Sequence, residues 1–252
     1  MATLGLKIEY DGTDYCGWQR QANSITIQER VEIALEKLIN KSISIIGAGR
    51  TDSGVHARGQ VASALIDDDF PIPENKIKLA LNSELPKDIR IIEGKFFNFP
   101  FHARFDAVAR EYSYTVINKE DVFRRRFSAY YTHKMDEESL FSSAEMFLGK
   151  HDFTAFSKKN PDVKNYICKV EICKWEKMDD NSFRLKIKSD RFVYGMVRSL
   201  TSVMLGLAAG KLKKKEIQES FMENKRKPIA ALMPPSGLIL EKVYYNNIKF
   251  LD

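Results

Sequence analysis

The sequence predicts an α+β fold. Strand-like and helix-like segments are mixed along the chain without strict βαβ alternation. Apolar residues recur at every second position in the strand-like segments and at helical spacing in the others. Each half has strands flanking an amphipathic helix, a pattern that suggests two pseudo-duplicated halves. The expected division is residues 1–104 and 105–252, with the change-over near Phe101 to Asp106 and no composition shift to mark a flexible linker.

Leu4, Leu6, Ile8 and Tyr10 alternate with Gly5, Lys7 and Glu9, which is the pattern of a half-buried strand. Asp11-Gly12-Thr13 then turns the chain. Thr26, with Glu29 three positions on, forms a capping box and opens a helix carrying Val31, Leu35 and Leu38 on one face. Lys41 to Ile46 reads as a second strand. It runs into GAGRTDSGVHARG, too rich in glycine for a regular element, before Gln60 to Ile66 resumes as strand. Pro73 starts a helix through Leu81, and Ile89–Ile92 and Lys95–Phe97 are extended. Tyr112, Tyr114 and Val116 alternate in a strand, and Asp136 to Leu148 is helical. Strands follow near Ile167 to Trp175 and Phe183 to Ile187, helices at Gly195–Leu207 and Lys214–Met222, and a last strand at Leu238–Tyr245.

The chain has 252 residues, 44% hydrophobic and 29% charged, enough for a real core under a well-solvated surface. The stretch Ser199 to Ala209 is too short to span a membrane, and the N-terminus lacks a basic region followed by an apolar run. Three cysteines without metal-ligand spacing read as reduced thiols of a cytosolic protein. The net charge is +6, with basic clusters at Arg124-Arg125-Arg126, Lys158-Lys159, Lys211 to Lys215 and Lys225-Arg226-Lys227. Such clusters suit a phosphate backbone, and equally a solvated basic face.

Most of the chemistry is concentrated in Gly47 to Gln60. A dinucleotide fingerprint would need glycine where Asp52 stands, and a phosphate loop would end in Gly-Lys-Ser/Thr. The glycines instead suit close backbone approach around a fixed carboxylate. Arg50, two positions before Asp52, can keep that carboxylate ionised and oriented, which is what a nucleophile or base requires. Read locally, Asp52 fits still better as a turn residue capping backbone N–H groups. The four histidines have no metal-binding spacing, no hydrolase elbow is present, and Asp67-Asp68-Asp69 reads as a solvated loop rather than a magnesium site. Aromatic and basic residues interleave at Phe101 to Phe105 and Arg110 to Tyr114; these suit base stacking, although Phe101, Phe105 and Tyr114 fit core packing better. Arg198 lies on an otherwise apolar helix face and calls for a carboxylate partner, with Asp52, Asp190 and Glu241 all candidates.

Taken together, YDGTDYCGWQRQ (10–21), GAGRTDSGVHARGQV (47–61), LPKDIRI (85–91), FHARFDAVAREYSY (101–114), HDFTAF (151–156), FVYGMVR (192–198) and PSGL (235–238) resemble the tRNA pseudouridine synthase A family nearly end to end. The resemblance implies a pseudouridine synthase fold, a mostly antiparallel mixed central sheet flanked by helices. The first half would carry the catalytic aspartate loop and the second would complete the active-site cleft. Asp52 matches the catalytic aspartate and Arg50 the arginine that holds the target base flipped out. Tyr112 matches the tyrosine that stacks on the uracil, and Arg198 the arginine that pairs with the aspartate. His56 and Arg58, within the same signature, are expected to bind substrate. The implied reaction converts uridine to pseudouridine at positions 38–40 of the tRNA anticodon stem-loop. It needs no cofactor or metal, and the implied enzyme is a cytoplasmic homodimer. Ala64, Gly195 and Met233 stand where the family often has an aromatic, a histidine and an alanine, which leaves substrate range open. The same chemistry on another RNA, or a module that binds RNA without catalysis, are the alternatives.

Overall fold

The computed structural model describes residues 2–67, 69–160, 163–223, 231–246, 248 and 250. Asp68 of the acidic run and the basic cluster Lys225-Arg226-Lys227 lie outside the described residues. The chain divides into two compact units, Met1–Val108 with Leu240–Asp252, and Ala109–Ile239. The return of the C-terminal segment to the first unit has no counterpart in a contiguous division at residue 104.

The first unit is built on β1 (Ala2–Tyr10), where Leu4, Leu6 and Ile8 are buried as the alternation requires. Burying each such side chain contributes about 1.5–3 kcal/mol. β1 pairs antiparallel with β3 (His56–Ile66) on one side and β4 (Ile89–Phe97) on the other. The helix α1 (Ile27–Ile39) starts as the capping box predicts, with the Thr26 hydroxyl accepting from the Glu29 N–H. A second helix, α2 (Glu74–Glu84), follows Pro73 and packs on β4. The last strand, β10 (Leu238–Tyr245), lies beside β3 from Leu240 onward.

The strand expected over Lys41 to Ile46 is reduced to β2 (Ile46–Gly47), paired with β3. The reason is Glu32, a buried residue of α1. Its Oε1 accepts from the Ile45 N–H at 3.0 Å and the Ser44 hydroxyl at 3.3 Å, while Gln28 Nε2 donates to the Ile45 carbonyl at 3.0 Å. Side chains of the helix thus take up groups that a strand ladder would need. β3 also begins earlier than the glycine-rich sequence suggests, because Ala57 pairs with Tyr10.

In the second unit β5 (Ala107–Ile117, within the unit from Ala109) pairs antiparallel with β9 (Ser182–Ser189). β9 pairs antiparallel with β8 (Ile167–Asp179), and β8 with β7 (Gly149–Asp152). The short β6 (Ala129–Tyr130) is parallel to β5, so the strands are mixed but mostly antiparallel. The expected Asp136–Leu148 helix is α3 (Glu137–Ser143), capped by the Asp136 carboxylate, with a 3-10 continuation at Ala144–Phe147. α4 (Met196–Ala208) is nearly all buried, and α5 (Lys214–Glu223) follows it. HDFTAF does core work: Phe153 and Phe156 join Phe147 and Phe221 in a cluster with ring centroids 4.8–6.2 Å apart. Among the described residues no helix is long and apolar enough to cross a membrane.

Candidate functional site

Asp52 sits in the loop between β2 and β3, and the backbone of that loop is anchored along its length. The Ala48 N–H donates to the Val61 carbonyl at 2.7 Å. Gln60, fully buried, donates from Nε2 to the Gly49 carbonyl at 2.9 Å. The Thr51 carbonyl accepts from the Trp18 N–H at 3.1 Å, and its hydroxyl lies 2.8 Å from that of Tyr10. Past Asp52, the Gly54 N–H and the Ser53 hydroxyl both donate to the Tyr15 carbonyl, at 3.3 and 3.1 Å. The Val55 N–H closes the turn onto the Asp52 carbonyl at 3.1 Å.

YDGTDYCGWQRQ is the seat for this loop. Gly17 has φ +88°, and a β-carbon there would come within 2.5 Å of the Thr51 carbonyl oxygen. Tyr10, Tyr15 and Trp18 are buried beneath. The signal for this seat was a tyrosine- and tryptophan-rich stretch with two glycines, whose spatial target a linear reading does not reveal. The result is a half-buried Asp52 between fixed neighbours, beside an exposed Arg50. A carboxylate on a backbone held this way can be presented to a reacting atom with little backbone reorganisation, which favours nucleophilic or base catalysis.

His56 is buried at 2% exposure, with Nδ1 3.1 Å from both the Gly12 nitrogen and Asp11 Oδ1. These contacts tie β3 to the seat. Arg58 is exposed on β3, 3.9 Å from the Glu241 carboxylate.

Tyr112 and Arg198 belong to the second unit. Tyr112 on β5 is 8% exposed and meets Phe192 edge-on, with centroids 5.0 Å apart. Arg198, half-buried on α4, donates from Nε to the Met233 carbonyl at 2.7 Å. Tyr114 donates its hydroxyl to the adjacent Pro234 carbonyl at 2.6 Å. Burial pushes the Tyr114 phenol above its usual range, and the Arg198 guanidinium opposes that shift. Gly195, at φ +75°, caps α4 in the left-handed region, where histidine is tolerated better than most side chains. Ala64 is buried opposite Leu4.

The sequence matches the family described as tRNA pseudouridine synthase over residues 7–106 and 143–246. A protein of Clostridium perfringens (strain 13 / Type A) named tRNA pseudouridine synthase A 2 is 38% identical over 97% of this chain and 100% of its own length. The tRNA pseudouridine synthase A of Chlorobaculum tepidum is also 38% identical, over 96% and 98%. In the structure titled "Crystal Structure of a Cbf5-Nop10-Gar1 Complex", one chain aligns at 12% identity and a TM-score of 0.43, covering 94% of this chain and 48% of the other.

Proposed function

The chain belongs to the tRNA pseudouridine synthase family, and from that premise we infer that it isomerises uridine to pseudouridine in tRNA, at positions 38–40 of the anticodon stem-loop. The bond from C1′ to N1 of the base breaks, and a bond from C1′ to C5 forms. The proton on C5 leaves and N1 gains one, so atoms and electrons balance without a redox partner, and no cofactor is required.

The observation that carries this reading is the seating of Asp52. The GRTDSGVHA signature holds it at the surface while its neighbours are anchored to Tyr10, Tyr15 and Trp18. Asp52 is the residue that attacks the nucleoside or abstracts its proton. The target uridine must leave the stack, at a cost of a few kcal/mol, before any carboxylate can reach it. Arg50, exposed beside Asp52, holds the extruded nucleotide. Tyr112 stacks on the uracil and is the candidate for taking the C5 proton. Arg198 supplies the counter-charge for the aspartate. Arg58 contacts the RNA backbone, and buried His56 contributes by holding the loop in register. The working enzyme is a cytoplasmic homodimer.

A pseudouridine map of total RNA, with and without the gene, tests the reading. Loss confined to tRNA positions 38–40, restored by the wild-type gene, is expected. Loss from ribosomal RNA with intact tRNA would assign the same chemistry to another substrate. No change in either would refute the activity.

A further inference from the structure

One basic cluster has no part in the proposed chemistry. Arg124-Arg125-Arg126 lies in a turn of the second unit between β5 and β6, and the same turn exposes apolar residues. Phe123 is 96% exposed and Val122 69%. A single exposed apolar side chain is ordinary, but two this bare side by side at the tip of a hydrogen-bonded turn are not.

The turn is built to hold that tip. Asp121 Oδ1 accepts from the Phe123 N–H at 2.8 Å and the Arg124 N–H at 3.3 Å. The Phe127 N–H and the Ser128 hydroxyl both donate to the Arg124 carbonyl, at 2.9 and 2.8 Å. Arg124 is held at the surface by two carboxylates: Nη1 donates to Asp179 Oδ2 at 2.8 Å, and Nε lies 3.4 Å from Asp121 Oδ2. Arg125, whose Nη1 donates to the Val122 carbonyl at 3.3 Å, and Arg126 are likewise exposed beside the aromatic tip.

We propose that Phe123, flanked by Arg125 and Arg126, is an accessory tRNA-docking element that stacks on an unpaired base while the arginines hold adjacent phosphates. The inference rests on the tRNA reading above. An aromatic face beside guanidinium groups is the pairing that unpaired RNA selects. Residues 119 to 126 carry four basic and two acidic side chains, so the charge around the tip complements a polyanion. Along β5, Tyr112 to Ile117 alone spans about 17 Å at about 3.4 Å per residue. Asp179, which holds Arg124, pairs with Ser182, the partner of Ile117, so the turn sits at the end of β5 away from Tyr112 and engages a part of the tRNA away from the uridine that Tyr112 would stack on.

Phe123→Trp converts the tip into a reporter. The two native tryptophans, Trp18 and Trp175, are 2% and 5% exposed, and the same titration of the wild-type protein supplies their background. Adding tRNA should quench the new indole and leave affinity near wild type. Phe123→Ala should raise Kd and KM for tRNA about five- to a hundredfold, with kcat and melting temperature unchanged. Arg125→Ala with Arg126→Ala should lower the slope of log Kd against log salt by about 1–2. An unquenched indole together with unchanged affinity of Phe123→Ala would overturn the proposal. So would a loss of affinity that accompanies a change of mass in light scattering, which would assign the tip to protein contact. Pseudouridine formation by the wild-type protein in the same assay separates failure of this inference from failure of the activity.

Discussion

Gly17 and Thr51 approach so closely that a β-carbon on the first would stand 2.5 Å from the carbonyl oxygen of the second. The Trp18 N–H bonds that same carbonyl at 3.1 Å, so the chain just after β1 and the loop carrying Asp52 are fitted backbone to backbone. Gly17→Ala would add both overpacking and a left-handed alanine, a loss of about 2–4 kcal/mol in total. Its denaturation midpoint and kcat should both fall. Wild-type values for both would show that the close approach is dispensable.

The Tyr10 hydroxyl reaches the Thr51 hydroxyl at 2.8 Å. Tyr10→Phe removes this bond, worth about 0.5–1.5 kcal/mol, and leaves the ring in place. The expected result is a severalfold lower kcat at unchanged tRNA affinity. A change in affinity alone would mean that the bond supports binding rather than the placement of Asp52.

Glu32 organises the segment leading to β2 through Ile45, Ser44 and Gln28, and Arg20 Nη1 donates to its Oε2 at 3.0 Å. Glu32→Ala should cost about 1–3 kcal/mol, because the buried Ile45 N–H loses its acceptor. Urea denaturation checks this, and a change below about 0.5 kcal/mol would contradict it.

Burial pushes the Cys168 and Cys173 thiols up to about 12, whereas Cys16 is exposed. At pH 8 a thiol reagent should therefore modify one cysteine per folded chain rapidly and the other two only on unfolding. Equal reactivity of all three would contradict this burial.

The Tyr114 phenol is held above its ordinary value of 10.0, first by desolvation. A folded-state value above the unfolded one gives stability that is full below about pH 10 and declines as pH rises further. Tyr114→Phe should flatten that alkaline decline and lower neutral-pH stability by about 1 kcal/mol, since the Pro234 carbonyl loses its donor. An unchanged alkaline slope would assign it elsewhere, with Tyr15, also raised, the first alternative.

Local pattern was enough for β1, the Thr26-capped α1 and the final strand, because each is specified by alternation or by a cap three residues away. It failed at Lys41 to Ile45, where a helix side chain thirteen residues away takes the Ile45 N–H. It also failed at Phe105, grouped with the core by spacing but 76% exposed, stacked with His102 at 4.3 Å. Asp52 was legible as chemistry only through the resemblance, since a turn carboxylate and a catalytic one look alike over ten residues. What holds Asp52 in place was not legible at all: Tyr10, Tyr15, Gly17 and Trp18 precede it by more than thirty residues and act mainly through backbone atoms.

Asp52, on its anchored loop, is proposed as the carboxylate that performs the isomerisation. The test is tritium release from tRNA carrying [5-³H]uridine, measured for wild type and Asp52→Asn alongside tRNA binding. The variant is expected to bind tRNA with near-wild-type affinity and to release no tritium above background. Release by Asp52→Asn at close to the wild-type rate would contradict it.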